Sequence, residues 1–237
     1  MRSLIGASVV VAGLLSSTSN SLRGEDWTRF RGPNGQGRTL ERNLPLQWSE
    51  DSNVAWKTTI PGQGWSSPIV SGDHIFVTTA TEEGASCRVI GIDRTSGEIL
   101  WDSEVHRQIP GPKRAQNSYA TPTPVSDGAR VYAAFYDGTI VAVDFDGKLV
   151  WKNEDVDFHS LHGLGASPIL VGGLIVMPFD GSSREEQRVG WKEPWDQALL
   201  RAVDKETGNT KWRGKRGLSR VGHVTAIAIE NGQTVVS

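Results

Sequence analysis

One segment recurs three times along the 237-residue chain, as GIDRTSGEILW from Gly91 to Trp101, AVDFDGKLVW from Ala142 to Trp151, and AVDKETGNTKW from Ala202 to Trp212. Internal repetition restricts the accessible folds more than any single motif can, because each copy must build the same small unit. A second shared element lies upstream of each copy: SSPIV at Ser66, ATPTPV at Ala120 and ASPIL at Ala166. Each is followed by a glycine-bearing turn and an apolar run, HIFVTTA, RVYAAFY or LIVMPF. Each unit therefore reads as four short strands. In the clearest, the second, they are expected at 121–125, 130–136, 139–144 and 148–153. The links Ser126-Asp127-Gly128, Asp137-Gly138 and Phe145-Asp146-Gly147 are hairpin signals, since glycine takes positive φ freely and aspartate tolerates it.

Pro68, Pro122 and Pro168, and likewise Trp101, Trp151 and Trp212, recur at intervals of about 50 residues. A four-stranded antiparallel unit of that length, apolar on both faces, can cover itself only by stacking on copies of itself, which is the requirement of a β-propeller blade. The expected fold is all-β, with blades at 66–105, 120–155 and 166–213 and a partial fourth at 223–237. The shared aspartates Asp93, Asp144 and Asp204 are read as turn formers, accepting backbone N–H groups. Gly97, Gly147 and Gly208 allow the turn, and Trp101, Trp151 and Trp212 dock on the neighbouring blade. An aspartate repeated at the same turn in three units is a fastener rather than a catalytic acid.

Composition supports a turn-rich β fold, with 27 Gly, 11 Pro and nine Trp. A formal charge of −2 gives no reason to expect nucleic acid as a partner. Cys87 is the only cysteine, so an internal disulfide and a four-cysteine metal site are both excluded. The apolar run Leu4–Leu15 follows one arginine and precedes small polar residues, the pattern of a signal peptide over residues 1–22. Export to the periplasm or the extracellular space is expected, with membrane contact only through an uncleaved N-terminal segment. Residues 23–65 then form an N-terminal segment in which NVAWKTTIP, from Asn53, reads as a ring-closing outer strand with Trp56 at the docking position.

The pattern Ala-x-Asp-x-x-Thr-Gly-x-x-x-Trp, met in full by Ala202, Asp204, Thr207, Gly208 and Trp212, resembles the tryptophan-docking motif of the PQQ-like (pyrroloquinoline-quinone repeat) β-propellers. That superfamily holds the quinoprotein alcohol dehydrogenases and the outer-membrane assembly lipoprotein BamB. The first copy has Gly91 and Ser96 in place of Ala and Thr, and the second is one residue shorter. WTRFRGPNGQG, LPLQW and GWSSPIV are similar to secreted propellers of planctomycete-type bacteria. Members usually have seven or eight blades, so the resemblance implies that the chain is an incomplete ring: an early-stopping reading frame, a fragment, or half of an assembly.

The resemblance also implies what an enzyme of the class needs: an adjacent cysteine pair, a tryptophan platform beneath the quinone, and calcium held by carboxylate and amide oxygens. Cys87 has no neighbouring cysteine, and no carboxylate matches the calcium set by motif. No catalytic, cofactor-binding or metal residue is therefore assigned; PQQ and calcium belong only to an alternative quinoprotein oxidoreductase reading. Three stretches are candidates for contact. His159 and His162 form an H-x-x-H pair on the loop into the third blade, readable as two metal ligands or as loop hydrogen bonding. Arg107, Lys113 and Arg114 make a basic insertion between blades one and two, readable as a surface for an acidic partner or polysaccharide or as a solvated loop. Trp191 and Trp195, in the insertion 180–200, suit contact with a protein or a sugar, or packing on a neighbouring blade. FRGPNGQG follows no parallel strand and opens no helix, so it is not a phosphate loop. The function expected is a non-catalytic binding or scaffold propeller with a protein or polysaccharide partner; a carbohydrate-binding propeller is the third alternative.

Overall fold

The structure is a computed structural model that describes residues 24–230 and 234–236. The expected signal peptide lies outside the described residues. Three four-stranded antiparallel meanders follow one another, each ordered as in the chain. Blade one is β1 (Ile69–Ser71), β2 (His74–Thr81), β3 (Ser86–Asp93) and β4 (Ile99–Arg107). Blade two is β5 (Val125–Ser126), β6 (Arg130–Ala134), β7 (Ile140–Asp144) and β8 (Leu149–Asn153). Blade three is β9 (Ile169–Val171), β10 (Leu174–Phe179), β11 (Leu199–Asp204) and β12 (Thr210–Lys215), and a hairpin of β13 (Ala228–Glu230) and β14 (Thr234–Val236) follows it.

Two expected strands differ. The first strand of blade two, expected at 121–125, is reduced to Val125–Ser126. Pro122 and Pro124 have no N–H to give to a ladder, and the N–H of Thr123 bonds the Ser167 hydroxyl of blade three at 3.0 Å. The same bond joins Ser67 N–H to the Thr123 hydroxyl and Ser167 N–H to the Thr225 hydroxyl, both at 3.0 Å. The S-P and T-P elements are thus links of a hydroxyl ladder running from blade to blade along the inner strands. The expected outer strand from Asn53 enters no ladder among the described residues. Its tryptophan docks all the same, as shown below.

Stacking buries both faces of the middle blade. Val131, Ala133, Phe135, Val141 and Val143 meet Phe76, Val89 and Val105 of blade one, whereas Tyr132, Ala134, Ile140 and Ala142 meet Ile175, Met177, Phe179 and Val203 of blade three. Alternation along β6 and β7 sends successive side chains to opposite neighbours, which explains why these strands read as continuous apolar runs. Trp27 pairs with Val70 in both directions, Thr28 accepts from Ser126 N–H at 2.8 Å, and Arg29 to Gly35 lie beside His223 to Ile227. Trp27 and Thr28 therefore lie against the first strands of blades one and two, and FRGPNGQG continues beside residues 223–227.

Meander topology separates the connections. Turns after first and third strands fall on one face and are short; connections after second and fourth strands fall on the other and carry every long insertion. On the short-turn face Asp127 bridges two blades, its carboxylate accepting from Tyr132 Oη at 2.9 Å, Lys205 Nζ at 2.8 Å, and the N–H groups of Ala129 and Arg130. Burial pushes this carboxyl up, but those donors outweigh it and hold it at about 2. A folded-state value below the unfolded one means that the stabilisation is present above about pH 4 and is lost as pH falls through about 2. Urea melts over that window should show acid destabilisation in the wild type that is reduced in Asp127→Asn; parallel curves would contradict the assignment.

Candidate binding cleft

The repeated motif is visible as a set of fasteners. Asp93 Oδ1 accepts from the N–H of Thr95 at 2.9 Å and of Ser96 at 2.7 Å. Asp204 does the same for Glu206 and Thr207, and Asp144, in the shorter copy, for Asp146 and Lys148. Hydrogen bonds from Ser96 hold the Asp93 carboxyl below the usual range, and those from Thr207 hold Asp204 at about 2. Gly97, Gly147 and Gly208 close these turns at φ 77, 82 and 76°. Each lies against the indole of the preceding unit: a Cβ on Gly97 would meet Trp56, on Gly147 Trp101, and on Gly208 Trp151, all within 2.7 Å. The same indoles donate Nε1–H to the backbone oxygens of Arg94, Phe145 and Lys205, at 3.1, 2.7 and 3.0 Å. Trp212 has no such partner among the described residues and is 39% exposed. Asp93→Ala should lower the melting temperature slightly and leave ligand binding unchanged.

The opposite face holds a cleft of 380 Å³ between the insertion joining blades one and two and the insertion within blade three. Its apolar lining is Pro112, Leu161 and Trp191; its polar lining is Lys113, Arg114, Arg188 and Lys192, with Gln187. No carboxylate lines it. Both walls are fixed. Tyr136 and Tyr119 donate their hydroxyls to the backbone oxygens of Pro112 and Gly111, each at 2.8 Å, and Lys113 Nζ stands 5.0 Å over the Tyr119 ring. On the other wall Arg188 O accepts the N–H groups of Trp191, Lys192 and Glu193. The Trp191 ring lies 4.6 Å from His162 and is capped by the Arg114 guanidinium at 5.7 Å, yet remains 41% exposed.

The structure divides each of the three candidate groups. Arg107 turns away to Glu82 and Glu104, while Lys113 and Arg114 line the cleft. Trp195 is half-buried; its backbone pairs with Ser219 and its ring lies against Gly181. His162 supports Trp191 and lies 5.9 Å from His223, whereas His159 offers its backbone oxygen to Ser182 N–H. Burial lowers the pKa of both His159 and His162. Among the described residues no three His, Cys, Asp or Glu side chains gather as metal donors. A second cleft, of 430 Å³, lies beside Trp65, Gln63, Thr78 and Asn117.

Two buried clamps on the Asp137-Gly138 turn have no counterpart in the sequence reading. His106 Nε2 meets Asp137 Oδ2 at 2.7 Å, and Arg201 Nη2 donates to Gly138 O at 3.0 Å. Cys87 lies opposite His106 in the ladder, but burial, with Asp137 nearby, raises its thiol pKa far from the range of a nucleophile. Of the described aspartates that a calcium site could draw on, Asp93, Asp144 and Asp204 are committed to turns, Asp127 to Lys205, Asp137 to His106 and Asp180 Oδ2 to Arg216, and Cys87 has no second thiol.

Stacked four-stranded meanders, tied by a tryptophan that docks on the next unit's turn, define an arc of a PQQ-repeat β-propeller. The chain belongs to the family described as outer membrane protein assembly factor BamB, whose model matches residues 41–175 and 85–237. Among solved structures it is similar to the quinohemoprotein alcohol dehydrogenase of Comamonas testosteroni, with 18% identity, a TM-score of 0.55, and coverage of 80% of this chain and 27% of that one. The quinohemoprotein alcohol dehydrogenase ADHIIG of Pseudomonas putida HK5 gives 19%, 0.52, 80% and 26% in the same order. BamB from Moraxella catarrhalis gives 17%, 0.39, 69% and 55%. These likenesses concern the fold, and the chain spans about a quarter of the length of the two dehydrogenases. No curated protein matches the chain in sequence.

Proposed function

We propose that this propeller is a non-catalytic binding or scaffold module of an exported compartment, and that it grips its partner at the cleft between the two insertions. The observation that carries this reading is a cleft lined by three apolar residues and four cations, with no carboxylate among its lining residues. Its position on the face that bears the long connections agrees, since binding residues concentrate on loops held by a rigid scaffold. Membership of a family described as an assembly factor of outer membrane proteins supports both scaffold action and export.

A photoreactive amino acid in place of Lys192 should trap a partner in the native cell, whereas the same residue at Asp146, on the short-turn face, should not. Equal trapping at both positions would refute the cleft as the binding site. Saturable PQQ and calcium binding with dye reduction by alcohols would replace the scaffold reading with the quinoprotein one.

A further inference from the structure

We infer that the ligand of this cleft is an anionic sugar, a uronate residue of an acidic polysaccharide; the inference rests on the reading of the cleft as a binding site. Two properties of the cleft must be met together. The rim demands negative charge: Arg188 has Glu186 and Glu193 within 3.5 Å, but Lys113, Arg114 and Lys192 form no ion pair among the described residues. The apolar lining demands an apolar face, because Pro112, Leu161 and the exposed part of the Trp191 ring share the cleft with those cations. A uronate ring supplies both, with a carbon-hydrogen face that packs on the exposed part of the indole and a carboxylate at its edge that accepts hydrogen bonds from the planar fork of the Arg114 guanidinium.

An acidic peptide supplies the charge but fits the walls less well. Peptides lying in a groove gain much of their affinity from main-chain hydrogen bonds to a free strand edge. Here four carbonyls of the walls are already in use: Arg188 O takes three N–H groups, Arg114 O takes that of Asn117, and Pro112 O and Gly111 O each take a tyrosine hydroxyl. Side chains therefore carry more of the recognition than these carbonyls can, and both walls are fixed before any ligand arrives.

Isothermal titration calorimetry of the full chain at physiological salt, with tetragalacturonate as the probe, tests this. Tetragalacturonate should bind, while its methyl ester and a tetraglutamate peptide should bind at least about tenfold more weakly. Trp191→Ala and Arg114→Gln should each weaken binding about tenfold or more with unchanged melting temperature, since both side chains are exposed to the cleft, whereas Trp65→Ala in the second cleft should have no effect. Equal binding of tetraglutamate, or an effect of Arg114→Gln without one of Trp191→Ala, would overturn the sugar in favour of a charge patch. Absence of uronate binding alongside trapping at position 192 would reject the ligand class and leave the cleft standing; absence of both would reject the cleft as well.

Discussion

Trp151→Ala is expected to cost about 3 to 5 kcal/mol of stability, while Trp212→Ala should cost within about 1. The two tryptophans occupy the same position of the same motif, so a propensity or strand-packing argument would make them equal. Their surroundings differ. Trp151 is 9% exposed, its Nε1–H bonds Lys205 O at 3.0 Å, and its ring fills the space over Gly208 and beside Tyr132. Alanine there would remove the largest wedge between blades two and three and leave a cavity next to a glycine that cannot move in to fill it. Trp212 is 39% exposed and bonds nothing through its indole among the described residues. Trp151→Phe should fall between, because it keeps a ring and loses the hydrogen bond. Urea denaturation of the four proteins checks the series, and equal losses at positions 151 and 212 would show that the indoles act within their own blade rather than on the next.

How much of this was legible follows from where each interaction closes along the chain. The Asp93, Asp144 and Asp204 turns close within five residues and recur, so residue type and spacing suffice to read them. The docking of Trp101 on Phe145 spans 44 residues, but repetition makes it readable, because what holds for one unit holds for the next. The hydroxyl ladder sits in plain view as S-P and T-P elements whose prolines mark the repeat interval, but spacing alone does not show which N–H meets which hydroxyl. Beyond the repeat, legibility ends. The basic insertion and the tryptophan insertion are both visible as loops, but nothing local brings Arg114 and Trp191 to one cleft; the curvature of three stacked blades does. For the same reason the pairs Arg107 with Lys113 and Trp191 with Trp195 looked alike in sequence and fall into different surroundings in space. The outer strand expected from Asn53 carried a docking tryptophan but found no strand to pair with among the described residues, which shows that the indole contact and the ladder are separable.

Arg201→Ala is expected to cost about 3 to 5 kcal/mol and Arg201→Met about 1 to 3, although the residue touches no proposed ligand. Arg201 is fully buried in β11, in the run LLRAVD, where alternation alone would allow it to face solvent. Its Nη1 donates to Asn153 Oδ1 at 2.8 Å and its Nη2 to Gly138 O at 3.0 Å, and its guanidinium lies 4.8 Å from the Phe179 ring centroid. Burial pushes its pKa down to about 10, so it remains charged at neutral pH, held by neutral oxygens and a ring rather than by a hydrogen-bonded carboxylate. Asn153 passes the link on, donating to Gly208 O at 2.7 Å beneath the docked Trp151. Truncation to alanine would leave Gly138 O without its donor, reduce Asn153 Oδ1 to the N–H of Asp155 at 3.1 Å, and open a void against Phe179, so packing and hydrogen bonding are lost together. Methionine would fill much of the void and remove the same two donated bonds, which isolates the polar part of the loss. Thermal and urea melts of the two variants give the two costs, and a methionine variant as stable as wild type would mean that Arg201 contributes shape alone. Binding at the cleft should survive in both variants at temperatures where they remain folded, because the loop walls are held by Tyr119, Tyr136 and the Arg188 turn rather than by this network.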